Sequence, residues 1–258
     1  MKVADLVLAM EAIAPSRFAA SWDNVGLIVG DEGSPLTRVL LTIDCTAGVL
    51  DEARREQADA IVSYHPPVFA AVKRLLAGSI AHDAARAGFA IHSPHTALDV
   101  ADGGTNDVLA DAIAMTARQP LRRLESPGFE TRGMGRVGDV EAVSVRVLVD
   151  RIKRALAIAN VLVAGTLERD VTRAAVCAGS GGDFIGDAID SGAELLLTGE
   201  LRHHDALRAV AAGLTVVCTL HSASERATLQ VLERRLAERL AGVAILRSRA
   251  DREPFVFA

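Results

Sequence analysis

Aromatic residues are scarce in this sequence: its 258 residues include one Trp, one Tyr and seven Phe, or 3% in all. A large core must therefore be built from Val, Leu, Ile and Ala, which suits parallel strands covered by helices. Hydrophobic residues make up 50% and charged residues 24% of the chain, a globular composition that excludes a disordered or fibrous protein. At about 150 residues per domain, this length fits one large or two modest domains.

A basic excess, long apolar runs and paired cysteines are also missing. Lys and Arg (28) are outnumbered by Asp and Glu (33), which disfavours nucleic acid as the main partner because phosphate-backbone binding needs positive charge. No apolar stretch reaches the ~18 residues of a membrane span, and the first residues predict an amphipathic helix ended by Pro15 rather than a signal peptide. Cys45, Cys177 and Cys218 are odd in number and lack Cys-x-x-Cys spacing, which disfavours a disulfide framework. We therefore expect a cytoplasmic protein with no membrane partner.

Short β-branched runs alternate with helical patterns along the chain, which predicts a mixed, mostly parallel α/β structure. The predicted strands cover residues 38–44, 60–63, 89–92, 160–163, 174–178, 194–197 and 214–218. The predicted helices cover residues 47–57, 79–87, 144–156, 184–191, 203–212 and 224–240.

The two halves of the chain repeat one pattern at the ends of their strands. The second strand of each half ends in a polar group, Tyr64-His65-Pro66 in one and Thr198-Gly199-Glu200 in the other. The third strand ends in His-x-x-x-acid both times, at residues 95–99 and 221–225. We interpret this pattern as an internal duplication that gives two similar α/β lobes.

Residues 119–138 are the best boundary or excursion between the lobes, because they are rich in Pro and Gly. The residues concerned are Pro120, Pro127, Gly128, Gly133, Gly135 and Gly138. We expect a first lobe over residues 1–120 and a second over residues 121–258, with terminal elements open to exchange between them.

Metal-binding side chains collect at the carboxyl ends of the predicted strands, where parallel α/β sheets carry their function. These side chains are His65, His95, Asp99, His221 and Glu225. Imidazole nitrogen mixed with carboxylate oxygen is the ligand set of borderline divalent metals. Five such groups exceed what one tetrahedral ion needs, and each carboxylate could bridge two ions. The set therefore indicates a two-metal centre with ions ~3.5–4 Å apart.

Simpler interpretations exist for each of these motifs. Asp99 could anchor the turn that follows it, and Glu225 could be a first-turn acid favoured by the helix dipole. The run Gly179-Ser180-Gly181-Gly182 fits either an anion-binding nest or a tight turn with positive φ.

Six motifs in one order resemble a known family over nearly the whole chain. They are Ser21–Leu27, Ser63–Phe69, Ser93–Asp99, Gly179–Gly182, Leu197–His204 and His221–Arg226. Together they resemble the dinuclear-metal family related to Ngg-one-interacting factor three, also known as GTP cyclohydrolase I type 2 homologs. The resemblance implies two α/β lobes with two divalent ions (Zn, Fe, Mn or Mg) between them, and often a homohexameric ring. It places the metal ligands at the five residues already named.

Tyr64 departs from the pattern of many bacterial members, which have two adjacent histidines before the proline. The Tyr64-His65 pair is similar to that of eukaryotic-type members. A phenol with a pKa near 10 is a weak ligand at neutral pH. We therefore expect a looser second metal site, or one held by an ionised Tyr64.

The resemblance implies a metal-dependent hydrolase that acts on a nucleotide or related heterocycle through a metal-bound hydroxide, as a GTP cyclohydrolase I-like enzyme would. Glu200, His203 and His204 are candidates for the catalytic proton shuttle. Because the net charge is negative, a nucleotide ligand would depend on the metals and on local cations. These cations are Lys73, Arg74, Arg202 and Arg226. The alternative is a non-catalytic metal-binding, regulatory or scaffold protein.

Overall fold

The computed structural model describes residues 1–125, 128–129 and 131–257, and Pro127 of the predicted boundary lies outside them. The chain divides into two compact units. The first contains Met1–Ala101 and Leu229–Ala258, and the second contains Asp102–Thr228. Residues 102–120 thus fold with the second unit, while the C-terminal segment returns to the first. Within the described residues, no helix is both long enough and apolar enough to cross a membrane.

The first unit contains a sheet with the strand order β1-β4-β3-β2-β11. Its strands are β1 (Gly26–Val29), β2 (Arg38–Thr42), β3 (Ala60–Ser63), β4 (Ala90–Ser93) and β11 (Ala244–Arg247). β3 pairs in parallel with β2 and β4, β11 pairs in parallel with β2, and β1 is antiparallel to β4. Its helices are α1 (Val3–Ile13), α2 (Ala47–Arg55), α3 (Ile80–Ala87), α4 (His95–Val100) and α10 (Thr228–Arg239), whose first residue belongs to the second unit.

Aliphatic residues of neighbouring strands form the core of the first unit. Leu40, Ile61 and Ile91 occupy matching positions of β2, β3 and β4 and pack with Val49 and Leu50 of α2. All five side chains are at most 2% exposed, and burying each contributes about 1.5–3 kcal/mol before the entropy of folding is subtracted. The sheet that carries the site residues is therefore rigidly packed although it contains few aromatic side chains.

The second unit contains a sheet with the order β5-β6-β8-β9-β10-β7. Its strands are β5 (Thr116–Arg123), β6 (Gly133–Ser144), β7 (Leu162–Ala164), β8 (Asp170–Ser180), β9 (Leu195–Glu200) and β10 (Thr215–Cys218). Its helices are α5 (Thr105–Asp111), α6 (Val145–Leu156), α7 (Ile185–Asp190), α8 (His203–Ala211) and α9 (His221–Arg226).

Three consecutive strands of each sheet run parallel, β2-β3-β4 in the first unit and β8-β9-β10 in the second. Both faces of the second sheet are covered: Leu195 and Leu197 join one buried cluster, while Leu196 joins another on the opposite face. The remaining pairings of the second sheet are antiparallel. The predicted mixed α/β fold is confirmed, and the shared three-strand arrangement is what the duplication predicts.

Two expectations are wrong: the single helix over residues 224–240 and the boundary or excursion over residues 119–138. Residues 224–240 form two helices, α9 and α10, rather than one. Only Ala227 separates the two helices, and its φ of −60° and ψ of −26° stay in the helical region, so the interruption is confined to that residue.

The stretch 119–138, interpreted as a boundary or an excursion, contains much of the antiparallel pair β5 and β6. A Cβ at Gly133 would collide with the Arg122 carbonyl, and one at Gly138 would collide with the Thr116 carbonyl. These glycines therefore permit close approach of two strands rather than marking a linker.

Candidate metal centre

The predicted histidine ligands, and the predicted proton carrier Glu200, lie at or just after the ends of strands in the two sheets. In the first unit, His65 comes two residues after the end of β3, and His95 begins α4 directly after β4. In the second unit, Glu200 ends β9, and His221 begins α9 shortly after β10. Within each unit these side chains therefore lie at the carboxyl ends of parallel strands, as the sequence predicts.

His95 is held by a buried carboxylate. Asp23 Oδ1 lies 2.7 Å from His95 Nδ1, and the Asp23 side chain is fully shielded from solvent. Burial acts to raise the pKa of Asp23, but hydrogen bonds from His95, Thr96 and Asn24 outweigh it and lower that pKa below its usual value. An ionised carboxylate can only accept, so His95 Nδ1 carries the hydrogen, and Nε2 is the nitrogen that would coordinate a metal ion.

His65 is oriented in the same way by the loop after β2. Asp44 Oδ1 lies 2.9 Å from His65 Nδ1. The His65 amide also donates to the carbonyl of Ile43, which fixes the backbone of the strand end. Asp44 was not among the predicted site residues, although its position at the end of a predicted strand is a signal that could have identified it.

His221 lies between two carboxylates of the second unit. Glu200 Oε1 is 3.1 Å from its Nδ1, and Glu225 Oε1 is 3.2 Å from its Nε2. The hydrogen bond to Glu225 is the main reason that the pKa of His221 rises to about 9, even though burial opposes the charged form. The Glu225 side chain is 4% exposed and the His221 side chain 39%, so this pair joins a buried carboxylate to an imidazole that reaches solvent.

Tyr64 lies beside the other predicted carboxylate ligand. Its hydroxyl donates to Asp99 Oδ1, and the two residues are 2% and 8% exposed. The geometry gives the phenol a function other than ligation, because its hydrogen bond orients and stabilises a buried carboxylate. Direct coordination by Tyr64 stays a prediction.

Gly179 leaves space for the His221–Glu225 pair. A Cβ added to it would lie 2.9 Å from Glu225 Oε1 and 3.2 Å from His221 Nε2, and its φ is +68°. Its amide donates to Ser224 Oγ, and the Gly181 amide donates to the Glu200 carbonyl. Because these amides are engaged within the protein, the glycine run is a tight turn at this pocket and not an anion nest built from them.

Backbone strain occurs at or next to two of the three strand-end histidines. His95 has φ +29°, and Leu220, the residue before His221, has φ +77° and ψ 152°. The Leu220 conformation is almost exclusive to glycine and costs of order 1–3 kcal/mol. The amide of Leu220 donates to the Gly199 carbonyl, which helps to hold the turn in place.

The predicted proton carriers divide into two groups. Glu200 contacts His221, whereas His203 and His204 are exposed at the start of α8 with their ring centroids 5.4 Å apart. Asp23 was missed as well. It lies in one of the motifs of the resemblance, but its link to His95 depends on the pairing of Gly26 with Ser93 across β1 and β4.

The donor chemistry fits divalent metal ions. Three imidazoles each have Nδ1 bonded to a carboxylate, which is the arrangement that orients histidine ligands and raises their basicity in metal sites. The buried carboxylates of Asp99 and Glu225 add oxygen donors whose charge is costly to bury without a cation nearby. Nitrogen and oxygen donors of this kind suit Zn, Fe or Mn.

Fold and donor set together define a mixed α/β protein with histidine–carboxylate groups at its strand ends. The chain belongs to the DUF34/NIF3 family (NGG1p interacting factor 3), whose model matches residues 1–254. It is 32% identical to a GTP cyclohydrolase 1 type 2 homolog of Clostridium perfringens, with 100% of both chains covered. It is 33% identical to NIF3-like protein 1 of Drosophila melanogaster, covering 99% of this chain and 89% of that one.

The same fold is known from crystal structures. A Bacillus cereus protein related to NIF3 superposes with a TM-score of 0.92 at 21% identity, covering 100% of this chain and 99% of that chain. At this identity the likeness shows the fold alone. The family that the sequence motifs resemble is thus confirmed for the whole chain.

Proposed function

We propose that this protein binds two divalent metal ions and hydrolyses a nucleotide or related heterocycle. The proposed ligands are His65, His95, Asp99, His221 and Glu225. The observation that carries the proposal is the repeated carboxylate–imidazole pair, at distances of 2.7–3.1 Å, behind each of the three histidines. Lone histidines at strand ends need no such partners, whereas metal ligands commonly have them.

The chain's own residues prepare the site for this chemistry. Asp23, Asp44 and Glu200 each accept the Nδ1 hydrogen of one imidazole, so Nε2 is the nitrogen that would bind metal. At His221 an ion would replace the Nε2 hydrogen that is now shared with Glu225. Tyr64 holds Asp99 by its hydroxyl hydrogen. Divalent ions bound there would acidify water and polarise a substrate carbonyl or imine.

Proton transfer requires groups that reach both the pocket and the solvent. Glu200 meets this requirement, because its side chain is 52% exposed and contacts His221. His203 and His204 follow Glu200 within four residues and are exposed, so they can exchange protons with bulk water. The name GTP cyclohydrolase 1 type 2 homolog of the Clostridium relative supports GTP as the first substrate to test.

The metal part of the proposal is tested by elemental analysis of purified protein. We expect Asp99→Ala and Glu225→Ala to lose both ions, because a bridging carboxylate serves each, and His65→Ala to lose mainly one. Full metal occupancy in Asp99→Ala would refute the bridging assignment.

The catalytic part is tested by incubating metal-loaded protein with GTP and following the purine absorbance. We expect the absorbance to fall with wild type and to stay constant with Asp99→Ala. Bound metal without turnover of any nucleotide would support a metal-binding or regulatory protein instead.

A further inference from the structure

The only tryptophan of the chain is exposed next to a predicted metal ligand. Trp22 is 61% exposed and Phe69 54% exposed, and their ring centroids lie 5.7 Å apart. The centroid of the His95 ring lies 6.1 Å from that of Trp22 and 6.2 Å from that of Phe69, and the His95 ring is edge-on to both. We call Trp22 and Phe69 the aromatic pair.

The aromatic pair is positioned by polar contacts rather than by burial. Asn24 Nδ2 donates to the Val68 carbonyl at 2.6 Å, which ties the loop before β1 to the segment after β3. On the same loop, Asp23 binds His95 and Thr96. Two exposed rings are therefore fixed beside the imidazole in a chain that otherwise contains few aromatic residues.

Two positively charged residues come shortly after Phe69 in the sequence. Lys73 and Arg74 are exposed in the segment after Phe69. Four residues of extended chain reach at most about 14 Å, so the Lys73 backbone lies within that distance of Phe69. A single ligand with a flat ring and an anionic group could therefore contact both the aromatic pair and these two cations.

We propose that the aromatic pair is the subsite for a planar heteroaromatic ring that carries an anionic group. The ring stacks on Trp22 and Phe69 beside His95, and the anionic group contacts Lys73 and Arg74. Stacking is favoured because every heteroaromatic ring has a π face, and exposed aromatic side chains bind such rings with little sequence or ring preference. This subsite rests on the proposed function, since it identifies the substrate class of the same site.

Tyr64, the other rare aromatic residue, cannot serve as this platform. It is 2% exposed and its hydroxyl is engaged with Asp99. The structure thus distinguishes a buried phenol that supports a predicted ligand from an exposed pair that can contact a substrate.

Because Trp22 is the sole tryptophan, its fluorescence reports directly on the subsite. Metal-free protein is titrated with GTP, guanosine and ribose 5-phosphate as probes. We expect saturable quenching by GTP, weaker binding of guanosine, and no quenching by ribose 5-phosphate. Phe69→Leu should weaken GTP binding about tenfold. The matched control Phe255→Leu removes another exposed phenylalanine of the first unit and should change nothing.

A double substitution of the cations separates charge from stacking. Lys73→Ala/Arg74→Ala should weaken GTP binding and leave guanosine binding unchanged. Equal quenching by ribose 5-phosphate, no quenching by any probe, or wild-type affinity in Phe69→Leu would overturn the proposal. Tighter binding of a single-stranded oligonucleotide than of GTP would also overturn it in favour of a nucleic-acid site.

Two further measurements separate the subsite from a protein interface and from the metal centre. If Phe69→Leu lowers the mass found by light scattering, a second copy of the chain covers the aromatic pair, and the subsite is refuted. Metal content is measured on the same samples. These samples are then reconstituted with divalent metal: metal uptake without ring binding would refute the subsite alone, whereas ring binding by protein that takes up no metal would refute the proposed metal function alone.

Discussion

Asp23 and His95 are joined by a 2.7 Å hydrogen bond although 72 residues separate them in the chain. The antiparallel pairing of β1 with β4 brings them together, because Gly26 lies opposite Ser93. Asp23 also accepts from the amide of Thr96, so it fixes both the imidazole and the first turn of α4. The orientation of His95 is thus determined by the sheet and not by its own helix.

Asp23→Asn should weaken metal binding while the fold is retained. The amide keeps the shape of the carboxylate but loses the charge that raises the basicity of the imidazole, and such changes typically cost 10–100-fold in metal affinity. Competition with a chromogenic chelator measures the effect.

Asp83→Asn is the matched control for this substitution. Asp83 pairs with His82 Nδ1 at 2.8 Å, but neither residue belongs to the proposed ligand set. The metal affinity of the Asp83→Asn protein should equal that of wild type. Equal affinity losses in both variants would contradict a specific role for Asp23.

Gly179→Ala should remove metal from the His221–Glu225 pair. The added methyl would come within 2.9 Å of Glu225 Oε1, so either the carboxylate or the turn must move. Gly192→Ala has the same positive φ strain, at +75°, but its nearest neighbour is 4.0 Å away, and it should bind metal normally. Elemental analysis compares the two proteins, and wild-type metal content in Gly179→Ala would exclude this pair as a metal site.

Local patterns were sufficient to predict the strand-end positions of His65, His95 and His221. Hydrophobic runs identify the strands, and a polar residue directly after a strand can be found without knowing its neighbours. The partners of these histidines could not be found in this way. Asp23 reaches His95 through strand pairing, and pairing between distant segments is not encoded in any local periodicity.

The same limit explains two features of the fold. β11 pairs with β2 from almost the opposite end of the chain, and this return of residues 244–247 has no local signal. Composition predicts a boundary or excursion at Gly133 and Gly138, but these residues permit close contact between β6 and β5. Glycine is common in both situations, so composition alone cannot separate them.

Tyr64→Phe should destabilise the metal-free protein by about 1–3 kcal/mol, because the buried Asp99 carboxylate loses a hydrogen-bond donor. If the phenol only supports Asp99, the variant should still bind two ions per chain, although more weakly. Urea unfolding measures the free energy of unfolding, and elemental analysis gives the number of bound ions per chain. Loss of one ion with unchanged stability would instead indicate that Tyr64 is itself a ligand.

The burial of neutral His92 should make the protein less stable in mild acid. His92 is buried in β4, and burial lowers its pKa to about 4, whereas in the unfolded chain it titrates near 6.5. Between these values the unfolded state binds the extra proton, so the free energy of unfolding falls as the pH drops from 6.5 to 4 and is unaffected by this group above that range. The whole loss is roughly 3 kcal/mol.

Urea unfolding at pH 7.0, 5.5 and 4.5 tests the contribution of His92. The variant His92→Leu removes the titrating group while keeping a side chain of similar size. Its stability should fall less than that of wild type over this interval. Parallel pH dependences in the two proteins would show that His92 is not responsible.

Leu220 provides a test of strain at the turn that positions His221. With φ +77° and ψ 152° it adopts a conformation in which a Cβ is costly, so glycine should be preferred there over alanine. We expect Leu220→Gly to be more stable than Leu220→Ala by about 1 kcal/mol, because both lose the side chain but only glycine relieves the backbone strain.

At the exposed helical residue Leu207 of α8 the order should be reversed, since alanine is favoured in helices by about 1 kcal/mol. Thermal unfolding of the four variants measures this difference. The relaxed turn of Leu220→Gly should also bind metal more weakly than wild type, because His221 loses a fixed backbone. If alanine is the more stable residue at both positions, the turn is not strained, and the rigidity of His221 must come from its two carboxylate partners alone.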